Sequence, residues 1–374
     1  MQLKRIDLFH IRISLKAPFE TSFGVTKERE TILLRAESAG GAVGWGEWAG
    51  DGPGYSYETV QTAWHILADY LIPMALRAPF EHPREAPARF APVRGHNITK
   101  ATLEAALWDL FAQHAGLSLR AYLAQTTGHP TRERVPVGVS IGIQPTPDQL
   151  VQRVSAFVAE GYRRIKVKIK PGRDLEDVRA VRAAFPQVPL MVDANSAYTL
   201  EDALLFQQMD AFELMMIEQP LGYDDIYEHS RLQPLLRTPL CLDESIHSPG
   251  HARLALALGA CRVINIKQGR CGGLTQAVAI HDLCQAEQVP VWCGGMLETG
   301  IGRALNVALA SLPNFALPGD LSASDRYYHE DVIDPPFVLN PDGTLAVPEG
   351  IGLGVRVLEE RIHRLTVRRA CFEA

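Results

Sequence analysis

Residues 161–172 read GYRRIKVKIKPG, and the placement of their two central lysines decides the reading of the whole chain. Lys166 and Lys168 alternate with Val167 and Ile169 in a strand-forming run, and a period of two puts both amines on one face. On a solvent face they would only decorate a sheet. In an interior they are two charges placed where burial without a partner is costly. The segments on either side bear on which it is.

From about residue 135 onward, short apolar strands alternate with amphipathic helical stretches. The strand candidates are VPVGVS (135–140), RIKVKI (164–169), PLMVDAN (189–195), LMMIEQP (214–220), PLCLDES (239–245), RVINIK (262–267), VPVWCGG (289–295) and, weakest, NFALPGDL (314–321). Between them, DQLVQRVSAFVAEG (148–161) carries Leu150, Val151, Val154, Phe157 and Val158 on one helical face, with Gly161 as its stop. SPGHARLALALG (248–259) opens with Ser248 as N-cap and Pro249 at the first helical position. Such alternation implies right-handed parallel βαβ units closed into a (β/α)8, TIM-like barrel. An open doubly wound sheet would carry a glycine-rich phosphate turn after its first strand, and VSIGIQPTP (139–147) is not one.

The charged residues at the strand ends are regular. Lys168, Asp193, Glu218, Asp243 and Lys267 follow one another at intervals of 25, 25, 25 and 24, each closing an apolar strand. The C-terminal rim of such a barrel is where chemistry is built. Three carboxylates converging there would repel without a positive partner, and an oxygen-only ligand set selects a hard cation such as Mg²⁺. Lys168 ends the second strand and Lys267 the sixth, so they face each other across the mouth, with Lys166 one layer deeper. Opposed amines beside a divalent cation suit removal and return of an α-proton. Lys166 beside Lys168, and Arg270 beside Lys267, are expected to disfavour the ammonium and lower the pKa of each base. A Schiff-base lysine needs one amine and no metal, which leaves the carboxylates unexplained.

Composition narrows the partners. The 374 residues are 47% hydrophobic and 21% charged with a net charge of −6, and no basic run marks a nucleic-acid or membrane surface. The longest uncharged run, 304–319, is too short to span a bilayer. The first residues show no apolar signal core, and the six cysteines form no CxxC pair, so a reduced, cytoplasmic protein is expected.

The motifs KVK, VDAN, IEQP, LDES, NIKQGRCGG and GGMLETGIGRA, in this order, resemble the muconate-lactonizing subgroup of the enolase superfamily. Within it they are most similar to the o-succinylbenzoate synthase and N-acylamino acid (N-succinylamino acid) racemase group. The resemblance implies Asp193, Glu218 and Asp243 as ligands of Mg²⁺ (or Mn²⁺ or Co²⁺), and no organic cofactor. It implies Lys168 and Lys267 as the acid/base pair, assisted by Lys166. Asn195, Ser140, Arg270, Glu244, Gly295 and Met296 are substrate-facing or supporting candidates; for Glu244, strand alternation next to Asp243 suggests a side chain pointing away or supporting from behind. A small-molecule substrate and a homo-oligomer are also implied.

The flanks fit an α+β cap, expected over 1–130, with the barrel over 131–322 and a 323–374 segment returning to the cap. ESAGGAVGWGEW (37–48) reads as a Gly-Gly hairpin and NPDGTLAVPEGIGLGVRVL (340–358) as an Asp-Gly hairpin. GIGLG lacks the helix and ribose acid of a dinucleotide motif. Two loops, PFETSFGVTK (18–27) and WAGDGPGYS (48–56), are expected to close over the barrel, with Phe19 and Phe23 facing an apolar substrate group.

Reprotonation from the opposite face makes the enzyme a racemase, whereas loss of a β-hydroxyl makes it a synthase of o-succinylbenzoate. Dipeptide epimerases of the group carry an Asp-x-Asp where this chain has GDLSAS with Asp320 alone. N-acylamino acid racemisation, alongside o-succinylbenzoate synthesis, is the expected function. A non-catalytic barrel scaffold is the reading from another class, and it has no need of the charged residues.

Overall fold

The parallel sheet expected from the strand-end spacing is present. Val139–Ile141, Ile165–Lys168, Leu190–Asp193, Ile217–Glu218, Leu240–Leu242, Val263–Ile266 and Val291–Cys293 pair in that sequence, all parallel. This computed structural model describes residues 1–50 and 52–374. The eighth segment, 314–321, forms no ladder. Single bridges join Val291 to Phe315 and Val137 to Gly319, and Gly138 N donates to Gly319 O at 2.7 Å, so the ring closes through irregular chain. Pro318, which has no N–H, interrupts this segment.

The helices between strands start and stop where their capping residues stand. Thr146 and Ser248 accept from the third residue on, opening Pro147–Glu160 and Pro249–Ala257, and Gly161 ends the former at φ 100°. Their apolar faces lie on the barrel: Leu150, Val154 and Phe157 are buried.

The cap is an antiparallel sheet ordered Thr366–Glu373, Leu3–Thr21, Gly24–Ser38, Val43–Glu47. The Gly-Gly hairpin is present, pairing Glu37 with Val43. Helix Asn97–His114 is buried along most of its length against this sheet. It comes so close that a Cβ on Gly46 would lie 1.9 Å from Thr102 O, which only glycine permits.

Two expectations are corrected. PFETSFGVTK is not a loop but the tip of a long hairpin, with Phe19 opposite Thr26 and the turn at Ser22–Phe23. The Asp-Gly turn at 342–343 exists, with Gly343 N donating to Asn340 O, but the strand it starts, Thr344–Ala346, pairs with Arg134–Pro136 instead of folding back on its own flank. GIGLG packs on the cap, where Leu353 N donates to Asp109 Oδ1.

Two buried cap carboxylates hold the cap to the barrel by meeting helix N-termini. Glu47 accepts from Thr299 N and Gly302 N at the start of Gly300–Ala310, and Glu104 accepts from Thr275 N in the first turn of Leu274–Ala286. Burial outweighs these hydrogen bonds and pushes both carboxyl groups up to about 7. Between the ordinary 4.5 and this raised value the folded chain holds protons that the unfolded chain releases, so stability falls as pH rises through that window. Glu104→Gln removes its share of this loss. Its melting temperature relative to the parent is therefore expected to improve from pH 5 to pH 8, as read by calorimetry at both pH values.

Candidate active site

The residues at the strand ends meet at the mouth because the barrel is sheared. Lys168, Asp193 and Glu218 are level in the hydrogen-bond register, but Glu218 pairs with Cys241, two residues before Asp243. Cys241 in turn pairs with Val263, four residues before Lys267. A closed eight-stranded ring of this class shifts register by about one residue per strand, so four strands on, the residue at Lys168's height is Lys267. The two lysines thus stand across the ring from each other, and both line one cleft with Lys166, Asn195, Ser140 and Asp320. Gly295, Met296, Phe19 and Phe23 form part of its wall, and Phe19 is stacked edge-on against Tyr327. The carboxylates of Asp193, Glu218 and Asp243 lie beneath, 1% exposed or less.

Each buried amine of the cleft meets a carboxylate. Lys168 Nζ lies 2.6 Å from Asp193 Oδ2 and 2.7 Å from Asn195 Oδ1. Lys166 Nζ lies 3.1 Å from Asp193 Oδ2, 2.9 Å from Glu218 Oε2 and 2.6 Å from Asp320 Oδ2. Lys267 Nζ lies 2.7 Å from Asp243 Oδ2 and 3.1 Å from the Tyr55 hydroxyl. Asn265 donates to Glu218 Oε1 at 2.8 Å. The backbone is left-handed just past two of the carboxylates, at Asn195 (φ 42°) and Gln219 (φ 35°), conformations rare outside glycine. Gln219 Oε1 accepts from Asp243 N and so ties the fourth strand end to the fifth. Gly294 leaves room for Lys267, since a Cβ there would sit 2.7 Å from Lys267 Cε.

The expected lowering of the base's pKa does not hold at Lys267, and the supporting Lys166 is raised as well. Burial opposes the charge on Lys166, but Asp320, Glu218 and Asp193 outweigh it and raise its pKa. Burial likewise opposes charge on Lys267, and Tyr55, Glu244 and Glu218 raise it. Arg270 is not turned on Lys267 alone: it is ion-paired with Asp243 and donates to the carbonyls of Ile246 and Asn265. Among the carboxylates, burial would raise Asp193, but Lys168 and Lys166 prevail and hold it far below its usual range. Glu218 is raised by burial and by Asp193.

Glu244 does not point away. The strand ends at Leu242, so alternation no longer governs it, and its side chain is buried and accepts from Asn195 Nδ2 at 2.9 Å. Burial, then the Asp193 charge, raise its pKa, and its Oε2 is buried with no hydrogen-bond partner. A crowd of buried carboxylates with an unmatched oxygen among them suits a hard divalent cation.

Sequence reasoning passed over Tyr55, Tyr327, Thr21 and Leu297, which also line the cleft, and Asp320 as a partner of Lys166 and Arg164. Tyr55 lies in a cap loop named for closure, of which residue 51 is outside the described residues. Its alternation carries no strand or helix signal that could single out one side chain. Among the described residues, one group of three ligand atoms within 4.8 Å of one another lies elsewhere, at His129, His281 and Asp282. There Asn314 N donates to His281 Nε2, so Nδ1 bears the proton and points it at Asp282. A metal-bound histidine presents the reverse polarity, donating from its far nitrogen. This group is a hydrogen-bonded tie between the cap–barrel linker and a barrel helix.

A family model described as "Enolase C-terminal domain-like" matches residues 149–361, and one described as "Mandelate racemase / muconate lactonizing enzyme, N-terminal domain" matches residues 5–123. The chain is 53% identical over 367 residues to an o-succinylbenzoate synthase of Geobacillus kaustophilus, covering 98% of this chain and 96% of that one. It is 47% identical over 371 residues to an N-succinylamino acid racemase of Amycolatopsis sp, covering 99% of each. A crystal structure of an enolase-superfamily member from Listeria innocua matches with a TM-score of 0.94 at 39% identity, covering 100% of this chain and 99% of that one.

Asp320 is the carboxylate that Arg164 meets, at 2.7 Å, in a site where the arginine side chain is 1% exposed. Leaving that guanidinium buried without a carboxylate is expected to make Asp320→Ala less stable by about 3 kcal/mol. Urea unfolding of the two proteins checks this.

Proposed function

This chain belongs to the enolase superfamily, and from that premise we propose that it takes and returns the α-proton of an N-acylated amino acid, racemising it, with o-succinylbenzoate synthesis in the same site. The observation that carries the reading is the pair of amines on the second and sixth strands, lining one cleft from opposite sides. Lys168 removes the proton from one face of the carbon, and Lys267 delivers one to the other. For the opposite enantiomer the roles exchange. Lys166 and Asn195 hold Lys168 in place between them through Asp193 and a direct hydrogen bond. Asp193, Glu218 and Asp243 are the residues that would hold Mg²⁺, with Glu244 beside them. A divalent cation held there would set positive charge against the substrate carboxylate as its α-proton leaves. Phe19, Phe23 and Met296 give the cleft an apolar wall for the amino acid side chain.

A second reading, the synthase as main activity, has its own support. Dehydration needs one base and can use the other lysine as a fixed cation. The raised pKa of Lys267, and the Tyr55 ring 4.6 Å from its ammonium, favour a cation there. Relatives with each name resemble the chain to a similar degree.

Lys168→Ala and Lys267→Ala are each expected to lower racemisation of N-succinylphenylalanine by at least about a thousandfold while the thermal transition persists. Polarimetry with added Mg²⁺ measures it, and EDTA is expected to abolish it. An active Lys267→Ala that still makes o-succinylbenzoate but no longer racemises would assign the synthase as the reaction needing one base. Full racemisation by both variants would sink the two-amine mechanism.

A further inference from the structure

Resting on the two-amine reading, we propose that Tyr55 is the positioning residue for Lys267, so that the cap assembles one of the two opposed amines and not the other. The partners of the two lysines differ in origin. Lys168 is held by Asp193 and Asn195, both from the end of the third barrel strand. Among the described residues, the hydrogen bonds the cap makes on that side go to residues beside Lys168: Ser22 Oγ donates to Asn195 O, and Lys170 Nζ donates to Glu20 Oε1. Lys267 instead has a cap residue directly on its amine. Its Nζ donates to the Tyr55 hydroxyl at 3.1 Å, and the ammonium lies 4.6 Å from the centre of the same ring.

The chemistry of a phenol suits this place. Arg270 also donates to the Tyr55 oxygen, at 3.3 Å, so the hydroxyl accepts from two cations and keeps its own proton to give. A hydroxyl that both accepts and donates, with the ring beside it, can hold the Lys267 amine in one place. Asn195 Oδ1 and Asp193, on the other amine, can only accept. Tyr55 is itself 8% exposed and held by the lid around it: Tyr55 N donates to Gly52 O, and Gly54 lies so near Phe23 that a Cβ would be 2.7 Å from its Cδ2. The hairpin tip and residues 54–55 therefore pack against each other, with Phe23 and Tyr55 on the cleft side.

Each amine serves one enantiomer, so α-deuterium uptake in D₂O from the separate enantiomers of N-succinylphenylalanine, with Mg²⁺ added, tests the proposal. Lys168→Ala and Lys267→Ala first assign enantiomer to amine, each expected to keep exchange from one enantiomer and lose it from the other. Tyr55→Phe, which keeps the ring and removes the hydroxyl, is expected to slow exchange from the Lys267-served enantiomer about tenfold, with the other held within about twofold. A loss of fold or of metal would slow both alike. Equal slowing of both enantiomers, or of neither, overturns the role of Tyr55 while leaving the two-amine reading standing. Alanine variants that fail to separate the enantiomers overturn that reading, and this proposal with it.

Discussion

Charge neutralisation in a buried volume is the constraint on which the rest of this structure depends. Lys166, Lys168 and Lys267 are each 7% exposed or less, and Asp193, Glu218, Asp243 and Glu244 are at 4% or less. An ion so placed costs several kcal/mol unless a counter-ion and hydrogen bonds meet it. The amines and carboxylates therefore interleave, with Lys166 between Asp193, Glu218 and Asp320, and Lys267 on Asp243. The same interleaving raises Lys166 and Lys267 and depresses Asp193.

The scaffold supplies the geometry that this network needs. Short strands with fully buried apolar residues fix the height of each charged tip, and barrel shear brings tips four strands apart to one level. The cap is anchored by Glu47 and Glu104 on the N-termini of two barrel helices, which fixes where its hairpin tip and its second loop arrive. Among the described residues, no helix is long and apolar enough to cross a membrane.

Much of this was legible in the chain. The interval of 25 residues, with a charge closing each apolar run, carries the barrel, the order of its strands and the grouping of Lys168, Asp193, Glu218, Asp243 and Lys267 around one mouth. Helix boundaries followed from Gly161 and Ser248, because capping is a matter of a few adjacent residues. The weak eighth segment was weak for a physical reason: Pro318 lies within it, and the ring closes there by single bridges.

What local pattern determined, then, is period and polarity: which residues alternate, which face is apolar, and which charges stand at strand ends. Tertiary structure decided the partners. Tyr55 meets Lys267 across more than two hundred residues, Asp320 meets Arg164 and Lys166 across more than one hundred and fifty, and Thr344–Ala346 pairs with Arg134–Pro136. Glu244 turns inward because its strand has ended, and the pKa of Lys267 rises because Tyr55, Glu244 and Glu218 surround it. Such contacts depend on distances set by the closed ring and the docked cap, and spacing along a chain does not encode them.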